Sequence, residues 1–240
     1  MSAFDRVKLL IGSINHKKLT NASVAIFGIG GVGGYTAEAL ARSGVGSIAL
    51  FDNDAISESN INRQIIATHD TIGKDKVLAM KERLLSINPE IKIECNKVFY
   101  LPDNADDFDL GKYDYVVDAV DTVSAKLEII KRAKDANVQV ISCMGTGGKT
   151  KIELLKVADV SKTSGCPLAR VMRRELKKRG IEKLKVVFSE ESVSVFEDDK
   201  ELLESKGKNG FAPPSMVFVP AAAGLILARE VVFDLIKSEE

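Results

Sequence analysis

The sequence predicts a doubly wound α/β fold, in which a mostly parallel sheet ends in antiparallel C-terminal strands and a closing helix. Short apolar runs alternate with helical patterns between residues 23 and 142, and this alternation is typical of a parallel sheet with crossover helices. A glycine-rich turn at residues 28–34 joins the first apolar run to the first helical pattern. The chain has 240 residues, of which 45% are hydrophobic and 28% charged, so disorder and low-complexity scaffolds are excluded.

Hydrophobic periodicity assigns the elements in order along the chain. Strands are expected at residues 23–28, 46–51, 91–95, 115–118 and 138–142. Helices are expected at residues 32–43, 73–87 and 125–136. Beyond residue 148 the periodicity changes, and we expect an antiparallel strand at 151–157, a helix at 167–179, a strand at 184–188, a long loop at 190–210 and a helix at 220–237.

The apolar elements continue without a convincing linker, so we expect one domain over residues 1–240. The chain is only about 1.6 times as long as a typical domain. The longest apolar run, residues 216–228, is shorter than the roughly 20 residues that a membrane-spanning helix needs. We therefore expect a buried strand end and a helix there, and no stable membrane insertion.

Charge and cysteine content exclude several classes of protein. The 34 basic and 34 acidic residues cancel, which excludes a uniformly basic nucleic-acid coat and an acidic tail. The three cysteines, Cys95, Cys143 and Cys166, are far apart, which argues against a disulfide framework and a Cys-x-x-Cys zinc site. Charged residues interrupt the apolar stretch at residues 1–16, so a signal peptide is not expected and a reducing cytoplasm is the simplest location.

The turn between the first strand and the first helix has the sequence Gly28-Ile29-Gly30-Gly31-Val32-Gly33-Gly34. Glycines let the backbone approach a phosphate, and a helix N-terminus presents unpaired N–H groups to it. Asp52, at the end of the second strand, is placed to accept hydrogen bonds from ribose hydroxyls. These features predict a Rossmann-like nucleotide site, but an NAD-binding domain and an ATP-using enzyme would share them, and a tight turn without ligand is the structural alternative.

The next segment favours ATP over NAD. It contains Asp52-Asn53-Asp54, then Asn60-Ile61-Asn62-Arg63-Gln64, then Gly73-Lys74-Asp75-Lys76. An arginine fork and a lysine point charge neutralise charge that develops on phosphoryl oxygens. Lys74 is the cation here that fits a solvated face best.

Two carboxylates three residues apart, Asp118 and Asp121, lie at the end of the fourth strand, where open α/β sheets bind ligands. Asp121 is the better candidate to hold Mg²⁺, which uses few carboxylates and keeps several waters. Asp118 either faces the same site or caps the following helix. Gly148-Lys149-Thr150 is similar to the end of a P-loop, but that motif requires a glycine where Cys143 stands, so the P-loop interpretation fails.

Together these motifs resemble the ubiquitin-activating-enzyme-like adenylyltransferases, which include the molybdopterin and thiamine sulfur-carrier adenylyltransferases, over residues 1–145. Those enzymes use ATP to convert a carboxylate into an acyl-adenylate. The resemblance implies that residues 1–145 form the nucleotide-binding part and residues 146–240 a substrate-binding elaboration. It implies a nucleotide site with phosphate-lining Gly28, Gly30, Gly31 and Gly33, ribose-binding Asp52, triphosphate contacts from Arg63, Gln64 and Lys76, magnesium at Asp121, and Asp54 and Asn60 beside them. Arg63, Lys76, Asp121 and Arg6 would be catalytic, with Arg6 reaching into the partner's site in a homodimer.

The last third of the chain narrows the resemblance. Gly145-Thr146-Gly147-Gly148, Lys162-Thr163, Cys166-Pro167-Leu168-Ala169, Arg173 and Ser189-Glu190-Glu191 are similar to motifs of the tRNA threonylcarbamoyladenosine dehydratases. That family adenylates the threonyl carboxylate of the modified nucleoside and lets the neighbouring carbamoyl group displace AMP. The chain departs from the pattern at Gly165-Cys166, where an acidic residue is common. No protein nucleophile is required, so Cys143 and Cys166 are expected to be small buried apolar residues.

A tRNA substrate implies a cationic docking surface. Residues 167–185 contain eight basic and two acidic residues, whereas residues 190–204 contain seven acidic residues and one lysine. The basic helix is the predicted tRNA contact, through Arg170, Arg173, Arg174, Lys177 and Lys178. An adenylyltransferase that activates the C-terminal glycine of a ubiquitin-like sulfur carrier and a non-catalytic nucleotide-binding module are the alternatives, and a sulfur-transfer protein is a further candidate partner.

Overall fold

A single seven-stranded sheet forms the centre of the computed structural model, which describes residues 2–193 and 214–237. Its strands are β1 (Ser23–Phe27), β2 (Ser47–Phe51), β3 (Lys92–Asn96), β4 (Tyr115–Asp118), β5 (Gln139–Cys143), β6 (Leu155–Asp159) and β7 (Lys185–Ser189). They lie in the order β3-β2-β1-β4-β5-β7-β6. All neighbouring pairs are parallel except β6 and β7. The predicted mostly parallel sheet with antiparallel C-terminal strands is confirmed.

Helices cover both faces of the sheet. The described helices are α1 (Asp5–Ile11), α2 (Ser13–Asn21), α3 (Gly33–Arg42), α4 (Lys76–Ile87), α5 (Val123–Asp135), α6 (Pro167–Lys178) and α7 (Phe218–Ile236). Apolar side chains of α3, α4 and α7 form one core, and those of α5 and α6 form the other. Because both faces are buried, β1, β2 and β4 are almost continuously apolar, as central parallel strands are. The closing helix and the doubly wound arrangement are therefore as predicted.

Several element boundaries differ from the predictions. The antiparallel strand expected at 151–157 starts late, because Ile152–Leu154 forms a 3₁₀ helix and the strand pairs with β7 only from Leu155. The strand end expected near residue 216 is absent from the described part of that segment, and α7 begins at Phe218 with Pro220 in its first turn, where proline costs no hydrogen bond. Most of the loop expected at 190–210 lies outside the described residues.

The N-terminal helices α1 and α2 were not predicted. α1 buries no residue, and only His16 and Leu19 of α2 are buried. Such helices leave no clear apolar stripe in the sequence, because they pack little of their surface against their own chain. None of the described helices combines the length and the apolarity that a membrane span would require.

The strand order places a topological switch at β1, whose neighbours β2 and β4 lie on opposite sides of it. The C-terminal residues of these three strands are Phe27, Phe51 and Asp118. In open α/β sheets a ligand binds outside the carboxyl ends of the strands at such a point. The fold therefore directs attention to this edge.

Candidate functional site

A cleft of about 560 Å³ opens at the carboxyl ends of β1, β2 and β4. Most residues predicted for the nucleotide site line it, namely Gly28, Gly30, Gly31, Asp52, Asp54, Asn60, Arg63, Gln64, Lys76 and Asp121. Gly33 and Arg6 are not among its lining residues. Residues from separate parts of the chain thus meet at the edge that the topology indicates.

The glycines of the turn meet different surroundings. Gly28 has a φ of +88°, and a Cβ there would lie 2.7 Å from the Ala119 carbonyl oxygen. A Cβ at Gly33 would lie 1.8 Å from the Gly28 carbonyl oxygen, whereas one at Gly30 would have the Gln64 Nε2 at 3.8 Å as its nearest neighbour. Gly33 therefore lets α3 approach the turn and does not itself face the cleft, in contrast to its predicted role, while Gly30 keeps the cleft open.

Asp52 connects the end of β2 to the glycine turn. Its carboxylate accepts hydrogen bonds from the backbone N–H of Ile29 at 2.6 Å and of Asp54 at 2.9 Å. Burial raises the pKa of Asp52, and Lys76, whose Nζ is 3.8 Å from Oδ1, offsets only part of that effect. The carboxylate is thereby held in one orientation at the wall of the cleft.

Two cationic side chains lie beside the turn. Lys76 begins α4 and is buried, with Nζ 2.7 Å from Oδ2 of the exposed Asp54. The Arg63 guanidinium is half-buried, and its Nη1 donates hydrogen bonds to the Ser59 carbonyl at 2.8 Å and to Asn62 Oδ1 at 2.9 Å. The cleft therefore has two cationic side chains next to the glycine turn.

The amide side chains of this region have two different surroundings. The Asn60 side-chain Oδ1 accepts a hydrogen bond from the Ser57 N–H at 3.1 Å, and the Asn60 backbone carbonyl accepts hydrogen bonds from the N–H groups of Arg63 and Gln64. Asn60 therefore shapes the turn that presents Arg63. Within the described residues, Oε1 of the buried Gln64 has no hydrogen-bond partner. A buried polar atom without a partner is costly unless a ligand or water completes it.

The carboxylate that ends β4, Asp118, and the one that follows the strand, Asp121, have separate roles. Asp121 is exposed and lines the cleft. Asp118 is fully buried and pairs with Lys126 Nζ at 2.8 Å. The helix that follows has Thr122 at its N-cap position, without a side-chain cap hydrogen bond. The alternative that Asp118 caps this helix is therefore wrong, and the charge of Asp118 is neutralised by Lys126 of the same helix.

Other cleft residues were missed by sequence reasoning. They include Phe99, which is half exposed, and Tyr100, a short distance after β3, and also Thr146, Ser215 and Pro220. The aromatic pair shortly after a predicted strand was an available signal. Ser215 had no such signal in the sequence. Its backbone carbonyl accepts a hydrogen bond from Asn62 Nδ2 at 2.8 Å, and Asn62 is far away in the sequence.

The cysteines are free thiols, and Cys143 and Cys166 are buried as expected. Burial raises the pKa of Cys143 to about 12, so its thiolate is scarce at neutral pH. Among the described residues, no group of three or more His, Cys, Asp or Glu side chains is arranged to hold a metal ion.

The basic helix α6 packs its apolar face on the sheet through Ala169, Met172 and Leu176. Of its predicted tRNA contacts, Arg170, Arg174, Lys177 and Lys178 are exposed. Arg173 is half-buried and donates through Nη1 to the Thr163 carbonyl at 2.7 Å, so it fixes the preceding loop. Hydrogen bonds from Lys178, Arg174 and Arg179 lower the pKa of Glu175 to about 2. The acidic segment at 190–204 lies mostly outside the described residues.

α1 presents an unusual surface. Leu9, Leu10 and Ile14, at its end and at the start of α2, are 78%, 83% and 80% exposed. Arg6, on the same helix, is exposed too. Exposed large apolar side chains at adjacent positions are typical of protein contacts.

Comparisons with known proteins agree with this geometry. The model of the ThiF family matches residues 5–238. The chain is 43% identical over 243 residues to the tRNA threonylcarbamoyladenosine dehydratase of Bacillus subtilis (strain 168), an alignment that covers 99% of this chain and 96% of that protein.

Solved structures give the same result. The E. coli tRNA N6-threonylcarbamoyladenosine dehydratase TcdA in complex with ATP matches with a TM-score of 0.85 and 31% identity over 97% of this chain and 93% of that one. Its complex with AMP matches with a TM-score of 0.85 and 30% identity over 96% and 92%. The chain therefore belongs to the ThiF family and, within it, to the tRNA threonylcarbamoyladenosine dehydratases.

Proposed function

We propose that this chain catalyses the ATP-dependent dehydration of N6-threonylcarbamoyladenosine in tRNA. The observation that carries the proposal is the cleft, which joins a glycine turn, a fixed carboxylate and two cations at the switch point of the sheet. The full-length similarity to a named dehydratase and the match to a relative in complex with ATP support it.

The first step is adenylation of the threonyl carboxylate. A carboxylate oxygen attacks the α-phosphorus of ATP, and pyrophosphate leaves. Arg63 and Lys76 neutralise the charge on the phosphoryl oxygens as the new bond forms. Lys76 Nζ lies 2.7 Å from Asp54, so in this mechanism its ammonium exchanges that carboxylate for a phosphate oxygen when ATP binds. Asp52 accepts hydrogen bonds from the ribose hydroxyls.

The second step closes the ring. The free carboxylate is a poor electrophile, whereas the acyl-adenylate has AMP as its leaving group. A nitrogen or oxygen of the carbamoyl group attacks the activated carbonyl carbon in the same molecule, which needs no encounter between separate reactants. AMP and a proton leave, so the nucleoside loses one water overall. No thiol takes part, in agreement with the burial of Cys143 and Cys166.

Magnesium is the proposed cofactor. The donor set fits an ion carried by the nucleotide, because Asp121 offers one exposed carboxylate at the cleft and Asp118 is neutralised by Lys126. Mg²⁺ is commonly held by one or two carboxylates together with substrate phosphates. When bound, the ion would neutralise phosphate charge, and Asp121 would hold it.

The tRNA and a second copy of the chain are the proposed partners. Arg170, Arg174, Lys177 and Lys178 form an exposed basic surface on α6, which suits phosphates. Leu9, Leu10 and Ile14 form an exposed apolar surface beside Arg6, which suits a homodimer whose partner supplies Arg6 to the cleft. A cytoplasmic location is proposed for the protein, because it fits an enzyme whose substrate is tRNA.

Mass spectrometry of the substrate tests the function. Modified tRNA incubated with the protein, ATP and Mg²⁺ is expected to lose the mass of one water and to yield AMP. Arg63→Ala should lower the rate by about 10²-fold or more, as loss of a charge-stabilising donor does. Lys74→Ala, a neighbouring cation outside the cleft lining, should react like the wild type.

Unchanged tRNA with folded protein would overturn the proposal. Pyrophosphate exchange that depends on a ubiquitin-like protein, and not on modified tRNA, would favour the sulfur-carrier adenylyltransferase instead. NAD binding without ATP consumption would favour a non-catalytic nucleotide-binding module.

A further inference from the structure

Lys126, on α5, is a lysine with no exposed surface, and its partner Asp118 is equally buried. Burying a charge costs free energy unless every polar atom finds a partner. Lys126 Nζ lies 2.8 Å from Asp118 Oδ2, 3.0 Å from the Val120 carbonyl oxygen and 2.8 Å from the Cys143 carbonyl oxygen. The three donors of the ammonium are thereby matched by three acceptors.

The two backbone acceptors lie in or close to segments that line the cleft. Val120 lies in the segment 119–122, which lines the cleft and carries Asp121. Cys143 ends β5 and lies three residues before Thr146, which also lines the cleft. One ammonium therefore ties the backbone after β4 to the carboxyl end of β5.

Asp118 completes the same network. Its Oδ2 accepts a hydrogen bond from Ser142 Oγ at 2.5 Å, and its Oδ1 accepts one from the Val120 N–H at 3.3 Å. Val120 is thus held through both its N–H and its carbonyl group. A core ion pair that served stability alone would not need to bind both the backbone of a cleft-lining segment and the strand end that leads to Thr146.

Segment 119–122, in which Lys126 binds the Val120 carbonyl, also lies against the glycine turn. The Ala119 carbonyl oxygen is the atom nearest to a Cβ built on Gly28, at 2.7 Å. A movement of segment 119–122 by a few tenths of an ångström would therefore change both the position of Asp121 and the packing of the first turn glycine. Nucleotide affinity and reaction rate depend on placement at this scale.

We propose that Lys126 is a positioning residue for the nucleotide site, which it organises through Val120 and Cys143 without touching the nucleotide. The proposal rests on the proposed function, because it assigns Lys126 to the ATP cleft of that reaction. Lys126 itself is not among the residues that line the cleft.

The test removes the charge pair while keeping the site neutral. In the double variant Asp118→Asn with Lys126→Met, the new amide at position 118 retains an acceptor oxygen for the network, but the two backbone carbonyls lose their donor. Hydrogen exchange measured by mass spectrometry is expected to rise at least tenfold in segments 119–122 and 144–146 and to stay unchanged in β1 and β2. ATP affinity measured by calorimetry is expected to fall about tenfold, whereas tRNA affinity stays within twofold.

Two further variants support the comparison. Lys131→Met, on the same helix, removes an exposed lysine paired with Asp135 and should leave exchange and ATP affinity at the wild-type values. Ser142→Ala keeps the ion pair and removes one hydrogen bond, so the same two segments should exchange faster to a smaller degree. This second variant tests the network even if the double variant does not fold.

A uniform rise in exchange, or equal losses of ATP and tRNA binding that follow the folded fraction, would overturn the positioning role. Unchanged exchange in both segments in Ser142→Ala and in the double variant would do so too. If the wild type bound no ATP, the proposed function would fail, while the exchange pattern would still report whether Lys126 holds the two segments.

Discussion

Gly30 and Gly33 differ in what a side chain would meet, although only two residues separate them. A methyl group at Gly30, which lines the cleft, has its nearest neighbour at 3.8 Å, whereas one at Gly33 lies 1.8 Å from a backbone oxygen. The same substitution therefore tests binding at one position and folding at the other.

We expect Gly30→Ala to unfold at the wild-type temperature but to bind ATP at least tenfold more weakly, because the methyl group occupies the phosphate approach. The free energy of unfolding of Gly33→Ala should be at least about 1–3 kcal/mol lower than that of the wild type, because an extra methyl group overpacks this position. Thermal unfolding and ATP calorimetry on both variants measure this. A stable Gly33→Ala protein, or normal ATP affinity in Gly30→Ala, would contradict the assignment.

At the scale of elements, Asp234 of α7 joins this helix to two strands of the sheet, while Glu230 of the same helix also pairs with Lys185 at 3.2 Å. Asp234 accepts hydrogen bonds from Tyr115 Oη at 2.8 Å and from Lys185 Nζ at 2.5 Å, which connects α7 to β4 and β7. Burial raises the pKa of Asp234, but the hydrogen bonds from Lys185 and Tyr115 outweigh it, so the pKa lies below its ordinary value of 3.8. The ionised form thus stabilises the folded chain.

The sign of this shift gives a pH dependence. A carboxylate with a lowered folded pKa contributes stability above its unfolded pKa, and that stability is lost as the pH falls through the folded pKa. Asp234→Asn should be about 1–3 kcal/mol less stable than the wild type near pH 7, and this difference should shrink below pH about 3.9. Urea unfolding across pH measures it. The exposed Asp135→Asn is the control, and an equal effect there would contradict the argument.

The basic surface of α6 is a second prediction at this scale. Arg170→Glu with Lys177→Glu should weaken tRNA binding and reduce the slope of log affinity against log salt by roughly two, because two phosphate contacts are lost. ATP affinity should not change. Filter binding at several salt concentrations measures the slope. Lys74→Glu with Lys81→Glu makes the same charge change on the opposite face of the sheet, and an equal effect there would show a nonspecific charge response.

At the scale of the whole molecule, the proposed dimer makes the cleft depend on its partner. Arg6→Ala and Arg63→Ala should each be inactive alone. When the two variants are mixed and allowed to exchange subunits, half of the dimers are mixed and each has one intact cleft, so about a quarter of wild-type activity should return. If Arg6 acted within its own chain, no activity would return. Light scattering on Leu10→Glu, which is expected to be monomeric, checks the surface itself.

Most of the sheet and most of the cleft were predictable, because their signals are local. A parallel strand buried on both faces is a short apolar run, and the strand, glycine turn and helix follow each other directly in the chain. The cationic segment around Arg63 and Lys76 is equally close to the turn. By contrast, α1 has no fully buried residue and packs against the core only through the partly buried Ile11, and the boundary of β6 is set by its register with β7.

The sequence by itself determined the class of fold and the chemistry of the nucleotide site, since backbone freedom, burial and charge type can be inferred from neighbouring residues. Only the tertiary structure decided which acid faces the cleft. Asp118 and Asp121 look alike in the sequence, but Lys126 reaches the first and leaves the second exposed. The same holds for Gly33 and Ser215, because their roles depend on atoms brought close by folding.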